Sequence, residues 1–226
     1  MKVTFYGHAC FAVEVQGKKI VFDPFITPNE LAKSVDPSTI EADYIFVSHG
    51  HYDHIADLVT MARRTNATVV AAYEVIEWAK KQGLEKVHHM NLGGKWDFDF
   101  GTVKCVNAVH SSELPDGSYG GAPMGFVVKT QEGNFYFAGD TALTFDMQLI
   151  PRFAKLDFAV LPIGDDLTMG ADDAIITAEF IECNRIMGVH YDTFGYIKID
   201  KERVTQQFAN AGLELLLPAI GSSIDL

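Results

Sequence analysis

The chain's 226 residues include 48% hydrophobic and 21% charged residues, which predicts one globular domain over residues 1–226 and argues against a disordered or fibrous protein. Its 30 acidic against 18 basic residues leave a net charge of −12, which disfavours a broad nucleic-acid surface without excluding a local basic groove. The three cysteines, Cys10, Cys105 and Cys183, form no Cys-x-x-Cys pair, so we expect reduced thiols and a cytoplasmic protein.

The first hundred residues predict short strands joined by tight turns and followed by alternating helices and strands. No signal peptide is expected before the first strand, and no apolar stretch is long enough to span a membrane. Strands are expected over residues 2–6, 11–15, 19–22, 44–47 and 68–71 and around Val87. The pattern Ile55, Leu58, Val59, Ala62 predicts one amphipathic helix, and a second helix is expected over residues 74–82.

The second half predicts strands that each end at a histidine or an aspartate. Residues 103–109 precede His110, residues 134–138 precede Asp140, residues 158–163 precede Asp165, and residues 186–189 precede His190. Helices are expected over 174–182, capped by Asp172 or Asp173, and over 201–210, capped by Asp200 and stopped by Gly212. Because ligands in layered α/β folds gather where strand ends meet, we expect these side chains to converge.

The run His49-Gly50-His51-Tyr52-Asp53-His54 holds three of the eight histidines in the chain. In extended backbone, His49 and His51 point to the same side, so they can bind one ion together. Asp53 and His54 lie at the turn into the helix, where a second ion could bind. Imidazole and carboxylate are ligands for a divalent metal such as zinc. A solvated histidine-rich loop is disfavoured, because the run follows an apolar strand and contains a carboxylate.

Several further motifs complete a pattern that spans nearly the whole chain. They are Gly7-His8, Asp23-Pro24, His110-Ser111-Ser112, Gly139-Asp140-Thr141-Ala142, Pro162-Ile163-Gly164-Asp165, Thr168-Met169-Gly170 and His190-Tyr191. Together with the central run, they resemble the metallo-β-lactamase superfamily, and within it the small metal-dependent hydrolases akin to ascorbate-phosphate lactonases. The resemblance implies an α/β fold, a four-layer αββα sandwich of two packed mixed β-sheets with helices outside. Asp192 and Gly195 depart from the pattern of this branch. They follow His190 on the loop expected to face the substrate, so the departure bears on the substrate class and not on metal binding.

The resemblance also implies a dinuclear metal site. His49, His51 and His110 would bind the first ion, Asp53, His54 and His190 the second, and Asp140 would bridge both. Zinc is the default metal, and manganese, iron, nickel or cobalt suit the same ligands. A hydroxide formed from water between two such cations would cleave a small lactone, ester or phosphoester. Asp53 would be catalytic by orienting the attacking water.

Three other residues are candidates for supporting roles. Asp23 could accept a hydrogen bond from a ligand imidazole or could be an ordinary turn residue before proline. His8 could contact the substrate, lie near the metals or be a turn histidine. Thr168 precedes a predicted helix whose N-terminus could bind an anionic group of the substrate, although four nearby aspartates oppose an anion.

The alternatives belong to other functional classes. A phosphodiesterase or nuclease could use the same metals, although long nucleic acids are not expected as partners of so acidic a chain. A di-iron redox protein is less favoured, because His51 stands where those proteins generally carry Glu and no flavin module follows. A metal-binding protein without catalysis also stays open. The expected partner is a small-molecule substrate, with no membrane, and the oligomeric state is left open between a monomer and a homo-oligomer.

Overall fold

A computed structural model describes all 226 residues of the chain, and fourteen strands form its framework. In chain order they are β1 (Lys2–Gly7), β2 (Cys10–Val15), β3 (Lys18–Phe22), β4 (Tyr44–Phe46), β5 (Thr68–Ala72), β6 (Val87–Met90), β7 (Lys95–Phe98), β8 (Gly101–Asn107), β9 (Met124–Lys129), β10 (Asn134–Phe137), β11 (Phe158–Pro162), β12 (Arg185–Val189), β13 (Glu214–Leu216) and β14 (Ser223–Asp225). They form two seven-stranded sheets, in the orders β14-β1-β2-β3-β4-β5-β6 and β13-β12-β11-β10-β9-β8-β7.

The two sheets share one pattern of strand directions. In the first sheet β14, β1, β2 and β3 pair antiparallel, and β3 to β6 pair parallel. In the second sheet β7 to β10 pair antiparallel, and β10 to β13 pair parallel. Each sheet therefore changes from antiparallel to parallel pairing, and the parallel strands need longer crossover connections.

Five α-helices flank the sheets, and 3-10 turns occupy several of the loops. The helices are α1 (Tyr52–Ile55), α2 (Leu58–Thr65), α3 (Tyr73–Lys81), α4 (Ala171–Phe180) and α5 (Lys201–Asn210). Helix α3 packs against β5 and β6, α4 packs against β11, and α5 packs against β13 and α4. The αββα sandwich expected from the sequence is confirmed. None of these helices combines the length and apolar character that crossing a bilayer requires.

Phenylalanines from the two sheets form the centre of the core. Phe11, Phe22 and Phe46 of the first sheet are fully buried, as are Phe126 and Phe137 of the second. The ring of Phe46 lies edge-on to Phe126 at 5.2 Å between centroids, and Phe11 lies edge-on to Phe137 at 5.1 Å. Each buried ring stabilises the fold by roughly 1.5–3 kcal/mol of transfer free energy. These ring contacts hold the two sheets, and with them the ends of their strands, in fixed positions relative to one another.

The prediction of one helix through Ile55 and Ala62 is wrong, because the structure contains two helices, α1 and α2, with a break at Ala56-Asp57. The Asp57 carboxylate accepts hydrogen bonds from the backbone N–H groups of Ile26 at 2.6 Å and Thr27 at 2.9 Å. The Asp57 N–H donates to the Pro24 carbonyl at 3.0 Å. These tertiary bonds anchor the loop after Asp23 at the expense of a continuous helix.

The helix near residue 174 also begins earlier than expected. Gly170 occupies the N-cap position of α4 and no side chain caps it, so the prediction of Asp172 or Asp173 as the cap is wrong. Both aspartates lie in the first turn instead, where their negative charge interacts favourably with the helix dipole. The Asp200 cap of α5 is confirmed, with its carboxylate accepting from the Arg203 N–H at 3.1 Å. Strands β7, β9, β13 and β14 were not predicted, and the one-domain organisation stays a prediction.

Candidate metal centre

The convergence expected from the strand ends occurs at one edge of the sandwich for His110, Asp140 and His190, whereas Asp165 lies outside the cluster. His49 follows β4, His110 follows β8, Asp140 follows β10 and His190 follows β12. The ligand atoms of His49, His51 and His110 all lie within 4.8 Å of one another, and those of Asp53, His54, His190 and His8 form a second such group. We call His49, His51 and His110 the first trio, and Asp53, His54 and His190 the second trio.

The carboxylate of Asp140 lies between the two trios. Its Oδ2 is 3.6 Å from His110 Nε2 and 3.9 Å from His49 Nε2 of the first trio. The same oxygen is 3.0 Å from His190 Nε2 and 3.2 Å from His54 Nε2 of the second. One oxygen of Asp140 therefore lies within 3.0–3.9 Å of four imidazole nitrogens, two from each trio.

Asp23 is fully buried and orients one imidazole of each trio. His54 Nδ1 donates to Asp23 Oδ2 at 2.7 Å. Ser48 Oγ donates to the same carboxylate oxygen at 2.6 Å, so it accepts from His49 Nδ1, 3.0 Å away. When neutral, both imidazoles therefore carry their proton on Nδ1. The Nε2 of His54 then faces Asp140, and the Nε2 of His49 accepts from His51 Nδ1 at 2.9 Å.

The donor set fits divalent metal ions. His54 Nε2 and Asp140 Oδ1 are buried and have no hydrogen-bond partner within the protein. Buried polar atoms without partners are rare in folded proteins, and a cation bound by nitrogen and oxygen would satisfy both atoms. Five imidazoles and two carboxylates gather here, and these are the ligand types that bind divalent metal ions. The assignment of each ligand stays a prediction.

Burial dominates the electrostatics of the first trio. Removal from water lowers the pKa of His49 well below its usual range, and the nearby His54 adds to the effect. Burial also lowers the pKa of His51 and of His110, although Asp53 and Asp140 act against it. All three imidazoles are therefore neutral near pH 7, the form in which histidine binds metal.

Carboxylates dominate the second trio. Burial disfavours the charged form of His54, but Asp140, Asp53 and Asp23 outweigh it and raise its pKa well above the usual range. The pKa of His190 is raised to about 9, because Asp140 and Asp53 outweigh burial. Burial opposes ionisation of Asp140 too, but His190 and His54 hold its pKa well below the usual range. Without a metal, the second trio therefore holds protons.

His8 lies beside the second trio and contacts Asp53. Its Nε2 is 3.0 Å from Asp53 Oδ2, and its Nδ1 is 2.9 Å from Thr193 Oγ1. Burial and the nearby His190 lower the pKa of His8 to about 4, so the imidazole is neutral and has one N–H. The ionised carboxylate can only accept, so His8 Nε2–H donates to Asp53 and the Thr193 hydroxyl donates to Nδ1.

Three residues at this edge have left-handed backbone conformations, which residues other than glycine adopt only at a steric cost. His8, Asp23 and His190 have φ values of 55°, 43° and 56°. Such left-handed conformations cost on the order of 1–2 kcal/mol per residue. They turn the chain sharply where a strand ends, and a hydrogen bond from the His190 N–H to the His8 carbonyl, at 2.9 Å, joins two of these turns.

Thr168 belongs to neither trio. Its hydroxyl donates to the Met169 carbonyl at 3.3 Å, and the Met169 N–H donates to the Thr141 carbonyl at 3.0 Å. The cavity of about 380 Å³ at the start of α4 is not lined by Thr168, and its charged lining is mixed: Asp165, Asp172, Asp173, Lys198, Asp200 and Arg203. The anion site considered for Thr168 stays a prediction that this geometry does not support.

Sequence reasoning missed Ser48 and Thr193, which orient His49 and His8 through their hydroxyl groups. Each is close in sequence to a predicted ligand, Ser48 before His49 and Thr193 after His190. That adjacency is a weak signal, because a hydroxyl group in a loop is ordinary.

Comparisons with known proteins agree with this geometry. A family model described as the beta-lactamase superfamily domain matches residues 18–191. The UPF0173 metal-dependent hydrolase of Flavobacterium johnsoniae is 54% identical over all 226 residues, which cover both chains completely. The chain belongs to this family of metal-dependent hydrolases.

Solved structures show the same fold. Igni18, described as a novel metallo hydrolase from the hyperthermophilic archaeon Ignicoccus hospitalis, aligns over 99% of this chain and 97% of its own, with 30% identity and a TM-score of 0.88. The isothiocyanate hydrolase from Delia radicum gut bacteria aligns over 100% of this chain and 99% of its own, with a TM-score of 0.83. At 19% identity, the second likeness concerns the fold alone.

Proposed function

We propose that this metal-dependent hydrolase cleaves a small lactone, ester or phosphoester with the help of two divalent ions, zinc by default. The first trio would bind one ion, the second trio would bind the other, and Asp140 would bridge them. The observation that carries the proposal is the position of Asp140 Oδ2, within 3.0–3.9 Å of imidazole nitrogens from both trios. When bound, such a pair of ions supplies Lewis acidity and water that ionises near neutral pH.

The protein's own groups would hold and orient the reactants. Asp23 and Ser48 keep His54 and His49 in the tautomer that binds metal, and His8 holds the Asp53 carboxylate by donating from Nε2 at 3.0 Å. The second oxygen of Asp53 is then available to accept a proton from an attacking water. Asp53 is 22% exposed at its side chain, whereas His49 and His54 are fully buried. Solvent water can therefore reach the Asp53 carboxylate.

The catalytic role of Asp53 can be separated from its role as a ligand. The change Asp53→Asn keeps the size and one oxygen of the side chain but removes its basicity. We expect turnover to fall more than metal content does, because a base is lost while most of the binding geometry stays. Measurement of both quantities on the same preparations tests this. Equal losses would reduce Asp53 to a ligand.

The proposed function is tested by elemental analysis of native protein together with a hydrolase screen. The screen contains lactones, aryl esters, bis-aryl phosphodiesters and short RNA. We expect about two metal ions per chain and hydrolysis of small substrates that chelation abolishes and zinc restores. The change His51→Ala serves as the loss-of-site control. Fewer than one ion per chain, with no activity restored by metal, would contradict the proposal.

A further inference from the structure

The cavity that opens beside the two trios has a distinct chemical character. It measures about 540 Å³ and is lined by His51, Tyr52, Asp53, Ser111, Ser112, Glu113, Leu114 and Pro115. No lysine or arginine lines it. Sites that bind phosphate or carboxylate groups normally place such cations against the ligand. This cavity instead offers an aromatic ring, two apolar side chains and two carboxylates.

Glu113 is the carboxylate of this cavity that has no other role. Its side chain is exposed and makes no hydrogen bond or ion pair within the protein. Its position is nevertheless defined, because its backbone pairs with Tyr119. A Cβ on Gly50, between His49 and His51, would lie 3.3 Å from the Glu113 carbonyl. The backbone of Glu113 therefore lies against the central run, and its side chain lines the cavity beside His51 and Asp53.

Two basic residues follow His190, Lys198 on the loop and Lys201 at the start of α5, and neither lines this cavity. Lys201 Nζ lies 3.1 Å from Asp192 Oδ2 and 5.2 Å from the centre of the Tyr191 ring. Aromatic rings surround the second trio on this side. Phe194 lies edge-on to His8 at 5.5 Å between centroids, and Phe25 lies edge-on to Tyr52 at 6.2 Å. A substrate bound in this cavity would thus meet rings and carboxylates but no lysine or arginine side chain.

We propose that this cavity accepts substrates whose non-reacting part is apolar and uncharged or positively charged, and that Glu113 disfavours anionic substrates. This inference rests on the proposed function and narrows it towards neutral lactones and esters and away from phosphomonoesters. Glu113 is a specificity-determining residue, since its charge acts on the substrate through space and takes no part in bond cleavage.

The test compares two esters that differ only by a terminal carboxylate, 4-nitrophenyl hexanoate and mono-4-nitrophenyl adipate. The zinc-loaded wild type should have the higher kcat/KM for the hexanoate. In Glu113→Gln the ratio between the two esters should shrink by roughly three- to tenfold, as expected for unit charges some 6–8 Å apart near a protein surface. Glu113→Lys should shift the ratio further in favour of the adipate.

Glu85→Gln is the matched control, because it changes the net charge equally at an exposed position. Glu85 precedes β6, which runs parallel to β5 and β4, so it lies at the opposite ends of the strands from His49. This change should leave the ratio as in the wild type. An unchanged ratio in Glu113→Gln, an equal shift in Glu85→Gln, or a wild-type preference for the adipate would overturn the inference.

Binding measurements separate this inference from the proposed function. Calorimetric titration of the zinc-loaded protein with benzyltrimethylammonium and with benzenesulfonate needs no turnover. Replacement of Glu113 by Gln should weaken binding of the cation relative to the anion by a similar roughly three- to tenfold. If no substrate of the hydrolase screen is cleaved, the proposed function fails, and calorimetry still decides the charge preference. Equal relative affinities in both proteins would overturn the inference alone.

Discussion

The first trio and the second trio share one carboxylate but lie in opposite electrostatic surroundings. The imidazoles of the first trio have their pKa values lowered by burial and are neutral. The second trio includes Asp53 and also contacts Asp23 and Asp140, so the pKa values of His54 and His190 are raised despite burial. Protons therefore occupy the second trio in the absence of metal, while the first trio is ready to bind.

Under the proposed function, the two trios would be two unlike metal positions made from similar residues. A neutral trio binds an ion without displacing protons, whereas a protonated one must release them first. The carboxylates that hold those protons would also bind the incoming cation more strongly, because they add negative charge. We therefore expect the two positions to differ in pH dependence more than in geometry.

The largest effect is expected for Asp140→Asn, which removes the charge that the trios share. We expect metal loss from both positions and a fall in turnover beyond the roughly 100-fold upper range for residues that only orient a ligand. Elemental analysis and kcat on the same sample measure both effects. Asp165→Asn, at a strand end outside both trios, is the control. Retention of two ions by Asp140→Asn would remove the bridging role.

The next effect separates the trios by deleting one imidazole from each. His110→Ala and His190→Ala should each lower the metal content by about one ion, because three protein ligands define a stable zinc position and two do not. Mass spectrometry of the native protein counts the ions. The exposed His89, which lies on β6 outside the site, gives the control His89→Ala. Loss of both ions in either variant would show that the two positions cannot fill independently.

A smaller effect is expected from the groups that orient the imidazoles. Asp23→Asn should weaken metal binding about 10–100-fold at both trios, because the carboxylate contacts His54 directly and His49 through Ser48. Ser48→Ala should weaken the first trio more than the second. A zinc titration against a chelator resolves the two steps, and Ser48→Thr should restore the first. An equal effect of Ser48→Ala on both steps would contradict the relay.

The smallest effect is a difference in proton release. At pH 8, zinc binding to the second trio should release at least about one proton, because His190 has a pKa of about 9 and must become neutral to bind. The first trio should release close to none. Release should decline above pH 9, where His190 is already neutral. Calorimetry in two buffers of different ionisation enthalpy measures the protons released, and equal release by His110→Ala and His190→Ala would contradict the difference.

Local patterns predicted much of the fold and of the candidate site. Apolar runs predicted most strands, and the histidines and aspartates after them converge as expected, with the exception of Asp165. The pattern failed where long-range bonds prevailed over local preference. Helix α2 begins separately from α1, because Asp57 bonds to the backbone of Ile26 and Thr27. Strand β9 was missed although Met124 to Val128 are buried, because a short apolar run has no period that distinguishes strand from helix.

The sequence by itself determined the chemistry of the site, because residue type decides which atoms can bind a metal and their place at strand ends decides where they gather. Only the tertiary structure decided which role each of those atoms has. Asp140 faces both trios, Asp23 orients an imidazole of each, and Glu113 stands unpaired at the cavity, because two sheets bring together residues far apart in the chain. The effects of charge and burial depend on distances in space, and the spacing of residues along the chain does not give those distances.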